Sequence, residues 1–552
     1  MTGSLTSSGF TSSWSGVLPA SLTGSHAAWT LPVLVAVPLV AAVLLLAARR
    51  LSDQAAARLA ALAALVTLGV AVLIALAAAP YDRDTPGIAI DRMWIPALGV
   101  HAHLAVDGVS VPLILLTSLL GLLVTAHAIR VRPSGGRTRG LVACYLAVEG
   151  GALATFSSMD LLLFFVAFEV VLVPMWFVVA LWGDDTQIAR TVGRSAPMPG
   201  GEQARRDAAM RFVLYTALGS AVMLLGLLLV ALRTGTTDLA LLAAAHGHGL
   251  STTEQTIAAA LIVGGLAVKA PMFPLHTWLP PAHSIAPTGG SVLLAGVLLK
   301  MGTYGLIRVA LPVLPDGVHA LAPYLGALGV AGIIWGGLAC LAERDLKRLV
   351  AFSSVAHMGF VLLGVASMTR EGLQGALFAN IAHGLITGLL FVVAGGIKDR
   401  HHTGDLLLLG GGIRDRLPRL GWLLAFGAIA GLGLPGLAGF WGELLAIIGA
   451  WKSSALGDLA RPLAVLATIG TVIASAYLLR VLRLLWHGPR EPHWTTGEHA
   501  VTVDASGTEL TVAAPLVLAT VAIGLVPSVL LDVTGHAVRF LVAAAGRGGV
   551  TP

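Results

Sequence analysis

Charged residues are scarce in this sequence. Only 11% of its 552 residues are Asp, Glu, Lys or Arg, whereas 56% are hydrophobic and the mean hydropathy is +0.87. A soluble domain of this size needs far more charge on its surface, so the composition predicts an all-α polytopic membrane protein. With about 20 apolar residues per span, we count about fourteen transmembrane helices and find no boundary to a separate soluble domain.

Cysteine pairs and nucleotide-binding motifs are also lacking. Cys144 and Cys340 lie in separate apolar runs without CxxC spacing, so the sequence supports neither a disulfide framework nor a zinc or iron–sulfur site. No GxxxxGK[ST] motif occurs, and no GxGxxG follows a strand-like run and opens a helix. We therefore expect no cofactor and no metal in this chain, and no nucleic-acid partner.

The start of the chain lacks basic residues. Its first 27 residues are rich in Ser and Thr and contain no Lys or Arg, which argues against a secretory signal and an Arg-rich transit peptide. We expect the first span to direct insertion. An Ala/Gly/Arg-rich composition without transit features favours a bacterial plasma membrane.

The basic residues indicate how the spans are oriented. Most of the 34 Lys and Arg residues fall in loops after odd-numbered spans, and cytoplasmic loops hold the excess of such residues. The bias predicts both termini on the outer side. The predicted spans cover residues 29–48, 57–79, 104–129, 140–158, 161–182, 210–232, 256–279, 291–311, 321–342, 349–368, 372–397, 420–449, 462–479 and 511–531.

Several ionisable residues lie inside predicted spans. A charge at a helix centre costs roughly 2.5 to 3.5 kcal/mol, so a set of them suggests one connected polar path. Alternatives stay open. Each histidine is as readily a hydrogen-bonding contact between helices as a proton carrier. Glu443 is close enough to the end of its span for its carboxylate to reach the membrane interface. The set comprises Glu149, Glu169, Lys269, Lys300, His357, His383 and Glu443.

Two predicted spans contain helix-breaking residues beside a charge. Pro271 and Pro274 follow Lys269, while Pro435 and Gly439 precede Glu443. Proline removes a backbone donor, and the freed carbonyls are tolerated at membrane depth only where protein or water satisfies them, so each break implies a hydrated cavity.

Breaks at matching positions of two halves indicate inverted repeats. Spans 4–8 and 9–13 fit that arrangement, with broken helices 7 and 12. The predicted divisions are an N-terminal extension with spans 1–3 (1–139), the first repeat (140–311), the second repeat (312–485), and a loop with span 14 (486–552).

Four stretches carry a resemblance to a known family. "FEVVLVPMWFVVALWG" (168–183), the 40 residues from "KAPMFPLHTW" to "KMGTYGLIR" (269–308), "ERDLKRLVAFSSVAHMGFVLLG" (343–364) and "GLPGLAGFWGE" (433–443) resemble the antiporter-like membrane subunits of respiratory complex I, the proton-pumping NADH:quinone oxidoreductase. The Glu at 443 and the short tail after span 14 favour the chain M branch.

The resemblance implies roles for individual residues. Glu169 is similar to the family's glutamate that pairs with the lysine of the broken seventh helix, here Lys269. Lys300 is similar to the central lysine, His357 and His383 to the connecting histidines, and Glu443 to the outward residue. Glu149 matches a further glutamate whose role is open.

The resemblance also implies a mechanism and partners. Opening and closing of the Glu169–Lys269 pair would drive protons from the cytoplasmic side through Lys300, His357 and His383 to Glu443. FMN, iron–sulfur clusters and quinone are expected in partner subunits, and neighbours similar to chains L and N in the membrane arm. The long basic loop 183–211 departs from the family pattern and is either a solvated insertion or an assembly contact.

Three rival functions share parts of this pattern. A subunit of a multi-subunit Na⁺/H⁺ antiporter has this fold and these lysines without a redox partner. The membrane subunit of a hydrogenase complex is a related possibility. A structural anchor that transports nothing has no need for Lys269, Lys300 and Glu169 in the membrane interior, which argues against it.

Overall fold

A computed structural model describes residues 25–79, 81, 87–130, 137–184, 201–488 and 503–546. Within these residues, twelve helical segments are long and apolar enough to cross a membrane. The all-α polytopic prediction is therefore confirmed. Most of the Ser/Thr-rich start and the middle of the predicted loop 183–211 lie outside the described residues.

Apolar helices make up nearly all of the described chain, joined by short helical turns and one β-hairpin that consists of two short ladders. In chain order they are α1 (Thr30–Ala47), α2 (Asp53–Ala78), β1 (Ile88–Ile90), β2 (Met93–Ile95), β3 (Val100–His101), β4 (Leu104–Val106), α3 (Ser110–His127), α4 (Thr138–Ser157), α5 (Leu161–Val170), α6 (Leu172–Trp182), α7 (Gly201–Thr234), α8 (Leu239–Ala245), α9 (Thr252–Lys269), α10 (Leu279–Ile285), α11 (Thr288–Val313), α12 (Pro315–Ala342), α13 (Leu346–Ala366), α14 (Arg370–His401), α15 (Pro418–Gly431), α16 (Ala438–Lys452), α17 (Gly457–His487), α18 (Gly507–Leu525) and α19 (Ser528–Gly546).

Two predicted spans are interrupted helices. α9 ends at Lys269 and α10 begins at Leu279, with Pro271 and Pro274 between them. α15 and α16 are likewise separated by a segment that contains Pro435. The twelve membrane-length segments correspond to the other predicted spans, because each interruption leaves helices that are too short or too polar to qualify alone.

One residue predicted to break the twelfth span does not. Gly439 is the second residue of α16, whereas the turn itself is made by Gly433 (φ +72°) and Gly436 (φ +93°). Only glycine adopts such backbone angles without steric cost. Gly439 instead permits close packing, since a Cβ there would lie 2.5 Å from the carbonyl oxygen of Ala430.

The predicted third span begins too early. Residues 104–106 form β4, which pairs antiparallel with β1, and α3 starts only at Ser110. Asp107 accounts for the boundary, because its Oδ1 accepts hydrogen bonds from the N–H groups of Val109 (3.0 Å) and Ser110 (3.2 Å). Such side-chain acceptors satisfy the free donors of a first helical turn.

A C-terminal helix, α19, was not predicted. Pro527 follows α18 and separates it from α19. The carbonyl oxygen of Val533 in α19 packs against Gly108 so closely that a Cβ there would lie 2.0 Å away. α19 therefore packs against the start of α3.

The bundle has two distinct ends. At the hairpin end, which carries β1–β4, Arg308 forms an ion pair with Asp107 (2.5 Å). At the opposite end, here termed the basic end, Lys398 forms an ion pair with Asp184 (2.5 Å). The loop residues Asp345 and Asp405, which form an isolated β-bridge, also lie at the basic end.

The interior is built around α14. All residues of its most apolar stretch are buried, against 28% for the corresponding stretches of α1 and α2. α1 and α2 instead expose many Val and Leu side chains, which suits contact with lipid. Ionisable residues on α11, α13, α14 and α16 thus meet in the centre of the molecule.

Candidate functional site

Lys300 lies at the centre of this site. It is fully buried on α11 between two π-helical stretches, Leu294–Leu298 and Leu306–Ala310. Its Nζ donates to the carbonyl oxygen of Ala295 (2.6 Å) and lies 2.6 Å from Nδ1 of His383. π-Helical turns are rare in proteins, and those that occur are often found at functional sites.

A largely buried series continues from Lys300 to Glu443, and within it His357 is partly exposed. The rings of His383 on α14 and His357 on α13 lie 5.8 Å apart between centroids. Nδ1 of His357 then lies 3.1 Å from Oε1 of Glu443 on α16. The order is Lys300, His383, His357, Glu443, so the predicted order of the two histidines was wrong.

A small cavity lies beside the two histidines and Glu443. It offers about 20 Å³ of space for water and is also lined by Thr387, Gly431 and other residues of α14 to α16. One water needs roughly 10 to 15 Å³ measured in this way, so the cavity holds about one molecule. A single water between polar groups suffices to carry a proton across the gap between two rings.

The predicted Glu169–Lys269 pair is not in contact. Nζ of Lys269 lies 3.5 Å from the carbonyl oxygen of Phe168 and 4.3 Å from the centre of the Phe168 ring. Among the described residues, no carboxylate oxygen lies within 4 Å of this ammonium group, and Oε1 of Glu169 is buried without a hydrogen-bond partner.

A third helix break adjoins Glu169 and was not predicted. The helix is interrupted at Val171, between α5 and α6. Pro174 explains the interruption, because its ring clashes with the carbonyl group four residues earlier, that of Val170. The sequence signal was available in "EVVLVP", which places a proline five residues after Glu169.

Two polar residues beside the series were also missed. Oγ1 of Thr303 donates to Oδ1 of Asn380 (2.9 Å), and both residues are buried. Thr303 stands one turn after Lys300, and Asn380 stands one turn before His383. The signal was Asn380 in the apolar run "LFANIAHG", at helical spacing from the histidine.

Glu149 stands apart. It is fully buried on α4, and a Cβ at Gly121 of α3 would come within 2.5 Å of its Cδ. Both carboxyl oxygens lack a hydrogen-bond partner in the described part of the chain. The structure therefore does not join Glu149 to the series from Lys300 to Glu443.

The chemistry available here is proton transfer. Ammonium, imidazole and carboxylate groups each take up and release a proton. In the described residues, no group of three or more His, Cys, Asp or Glu side chains is placed to hold a metal ion.

Comparisons with known proteins agree with this architecture. A transmembrane family described as NADH:quinone oxidoreductase/Mrp antiporter matches residues 197–473. The NADH-quinone oxidoreductase subunit M of Rhodobacter capsulatus is 35% identical over 526 residues, which cover 93% of this chain and 96% of the relative.

Solved structures share the fold. A chain of respiratory complex I from Thermus thermophilus with bound NADH matches with a TM-score of 0.78 and 30% identity, covering 94% of this chain and 100% of that chain. A chain of the Mrp complex from Dietzia sp. matches with a TM-score of 0.76 at 23% identity, over 93% of this chain and 98% of that chain. The latter likeness concerns the fold alone.

Proposed function

Because this chain belongs to the family of NADH-quinone oxidoreductase subunit M, we propose that it is a proton-translocating membrane subunit of an NADH:quinone oxidoreductase. The observation that carries the proposal is the buried series from Lys300 through His383 and His357 to Glu443. Four ionisable side chains arranged in a row are costly in a membrane interior unless they serve transport.

The direction of transport is from the basic end towards Glu443. The excess of Lys and Arg makes the basic end the cytoplasmic one in a bacterial plasma membrane, with both termini outside. Lys300 receives a proton from that side and passes it to His383. His357 hands it to Glu443, which releases it outwards.

Lys269 and Glu169 control this movement. In the present conformation Lys269 rests on Phe168 and is separated from Glu169. Closing the pair favours the charged ammonium group, whereas opening it lets burial favour the neutral amine and the release of a proton. Signals from quinone reduction elsewhere in the complex set which form prevails.

The redox chemistry belongs to partner subunits. FMN, iron–sulfur clusters and quinone are bound there, and subunits similar to chains L and N flank this chain in the membrane arm. This chain itself supplies the proton path. The fold shared with complex I and Mrp subunits suits a place within a multi-subunit membrane complex.

A purification followed by a transport assay tests the proposal. A tag on this chain should recover flavin, iron and NADH:quinone reductase activity in mild detergent. Vesicles containing the recovered complex should acidify when NADH is added. The prediction is that redox activity and acidification are recovered together.

The alternative function predicts a different result. If the tagged chain brings down colourless membrane subunits, and its vesicles exchange Na⁺ for H⁺ without NADH, the chain is a subunit of a multi-subunit Na⁺/H⁺ antiporter. The buried series would then keep its role as a proton path, but the coupling to quinone reduction would be wrong.

A further inference from the structure

The exposed face of α17 changes from apolar to basic where the helix reaches the basic end. Arg480, near this end of α17, donates to the carbonyl oxygen of Glu343 (3.0 Å), which lies in the same loop as Asp345. Arg483 and His487 are exposed on the last turns. They continue a stripe of apolar residues at helical spacing that are 48% to 65% exposed, namely Val465, Ile469, Val472 and Leu479.

Two tryptophans lie where this stripe becomes basic. The rings of Trp422 on α15 and Trp486 on α17 are 5.1 Å apart between centroids and meet edge to face, at 74°. Trp422 is 63% exposed and Trp486 is partly exposed. Tryptophan is enriched where the hydrocarbon core meets the lipid headgroups, because its ring is apolar and its N–H group is polar. The pair therefore indicates the depth of the membrane interface on this face.

Arg414 covers the ring of Trp486. Its Cζ lies 5.3 Å from the centre of that ring, which is a cation–π contact. Arg414 belongs to the short helix Ile413–Arg416, which packs against the π-helical end of α17. Its Nε also lies 3.4 Å from Oδ1 of Asp415, but these side chains are 44% and 41% exposed, so the pair is weak. The tryptophan thus holds a guanidinium group that remains open to solvent.

Positive charge is in excess around the tryptophans. Arg483 stands three residues before Trp486, and no carboxylate lies within 4 Å of its guanidinium group in the described part of the chain. Only the weak contact of Asp415 opposes Arg414 there. Guanidinium groups donate pairs of parallel hydrogen bonds to phosphate oxygens. Two arginines beside interfacial tryptophans therefore suit a phosphodiester group.

The apolar stripe of α17 has the length of a lipid tail. Leu479 stands fourteen residues after Val465, so the two are about 21 Å apart along the helix. One leaflet of a bilayer has a hydrocarbon thickness of about 15 Å, half of the whole core. An acyl chain whose headgroup lies at Arg483 can therefore follow the stripe over its full depth in that leaflet.

We propose that Arg414, Trp422, Arg483 and Trp486 form a binding site for an anionic phospholipid, here termed the lipid site. The phosphate accepts hydrogen bonds from both arginines, and one acyl chain lies along the stripe of α17. A lipid suits this face better than a protein partner, because a protein would have to supply carboxylates in order to bury two arginines. The lipid site does not depend on the proposed proton path.

Photolabelling of the assembled complex tests the lipid site. A phosphatidylglycerol with a photoreactive group in its acyl chain is added to the complex and irradiated, and the labelled peptides are identified by mass spectrometry. We expect label on the exposed face of α17 between Val472 and Trp486. Unlabelled phosphatidylglycerol should suppress this label, whereas equal amounts of phosphatidylcholine or of inorganic phosphate should not.

Arg414→Gln and Arg483→Gln remove the charges and keep polar side chains. A basic residue close to an anionic headgroup contributes about fivefold to binding, so the double variant should bind about thirtyfold more weakly. The measurement is the concentration of phosphatidylglycerol that gives half-maximal labelling of α17. NADH oxidation by an artificial acceptor shows whether each variant has assembled with its redox arm, and the single variants decide if the double variant does not assemble.

Arg461→Gln is the matched control. Arg461 lies at the opposite end of the same helix, and its Cζ is 5.7 Å from the centre of the Trp451 ring, so it repeats the cation–π contact. It is a single arginine, and the exposed Asp458 stands three residues before it. Labelling of α17 at the basic end should therefore keep its wild-type concentration dependence in Arg461→Gln.

The outcomes separate the lipid site from other occupants of this face. Weaker labelling in the double variant, with Arg461→Gln unchanged, supports the site. Absence of label on α17 in the intact complex overturns it, because a neighbouring subunit then covers the face. Equal suppression by phosphatidylcholine or by inorganic phosphate overturns it as well, since the contact is then either unselective or with free phosphate. Wild-type labelling in the double variant also overturns it.

Discussion

Lys269 and Lys300 are equally buried but differ in what holds them. Lys300 has a carbonyl oxygen and an imidazole nitrogen, each at 2.6 Å. Lys269 has only a long contact of 3.5 Å to a carbonyl oxygen and the face of the Phe168 ring. Lys269 is therefore the one whose surroundings change most if Glu169 moves towards it.

Glu169→Gln tests how far Lys269 depends on the charge of Glu169. The amide keeps the shape of the side chain and removes the negative charge that favours the ammonium form of Lys269. We expect NADH-driven acidification of vesicles to fall about tenfold or more, since the proton no longer moves on and off Lys269 in step with the pair.

Glu371→Gln is the control for Glu169→Gln. Glu371 forms an exposed ion pair with Lys452 (2.6 Å), and such pairs contribute little. Vesicles containing Glu371→Gln should acidify at the wild-type rate when NADH is added. Equal rates in both variants would show that the charge of Glu169 plays no part in transport.

The site residues were predictable where a charge stands in an apolar run. Lys300, His357, His383 and Glu443 stand out in the sequence for that reason, and the structure brings them together. Their order was not predictable, because it depends on how α13 and α14 are placed against α11. Asn380 and Thr303 escaped notice, since neutral polar residues are common in membrane helices.

Each interrupted helix of this fold places a charged side chain beside backbone groups that lack a partner within the helix. α9 ends at Lys269, α5 breaks just after Glu169, and the turn before α16 lies beside Glu443. Gly433 in that turn has φ +72°, and a Cβ there would lie 3.2 Å from Oε2 of Glu443. The turn thus fixes both the backbone and the carboxylate.

Gly433→Ala should destabilise this turn. The left-handed backbone costs about 1 to 2 kcal/mol with a Cβ present, and the added methyl group also pushes on Glu443. The melting temperature of this chain, measured within the purified complex, should fall. NADH-driven acidification of vesicles should weaken as well.

Gly264→Ala separates backbone strain from the mere addition of a methyl group. Gly264 lies within α9, and a Cβ there would meet nothing within 4 Å. Alanine is favoured over glycine inside a helix by about 1 kcal/mol, so this variant should be at least as stable as the wild type. An equal loss of stability in both variants would contradict the account of the turn.

The transmembrane helices and their breaks were predictable mainly from the hydropathy of the sequence and the positions of proline. Twelve membrane-length segments follow the apolar runs, and Pro271, Pro274 and Pro435 marked two of the breaks. The hairpin was missed because its strands are only two or three residues long, and α19 was missed because Asp532, His536 and Arg539 interrupt its apolar run. The break after Glu169 was missed because Pro174 lies in an unbroken apolar run.

At the scale of the whole molecule, a histidine–aspartate pair connects the hairpin to the helices. Nδ1 of His103 lies 2.8 Å from Oδ2 of Asp238, and both side chains are mostly buried. The hydrogen bond to Asp238 raises the pKa of His103 despite the opposing effect of burial. Burial would raise the pKa of Asp238, but the His103 bond and backbone N–H groups lower it overall.

This pair makes stability depend on pH in a defined direction. The raised pKa of His103 contributes stability that is complete below the ordinary histidine pKa of 6.5 and is lost as pH rises through the folded value. The lowered pKa of Asp238 contributes stability above the ordinary aspartate pKa of 3.8 and loses it as pH falls through the folded value. The pair is therefore strongest between pH 3.8 and 6.5.

His103→Gln should lower the melting temperature most within that window and progressively less at higher pH. His101→Gln is the neighbouring control, because His101 pairs with Asp91 on the surface at 2.7 Å and should matter little. A melting-temperature difference for His103→Gln that grows as pH rises would contradict the assignment of the pair.

NADH-driven acidification by vesicles containing Lys300→Met tests the central claim most directly. Methionine fills the space of the lysine stem and cannot carry a proton to His383. Lys452→Met, at an exposed ion pair, is the matched control. We predict loss of acidification in Lys300→Met and wild-type acidification in Lys452→Met. Wild-type acidification in both, with the complex assembled, would show that the series from Lys300 to Glu443 does not carry the protons.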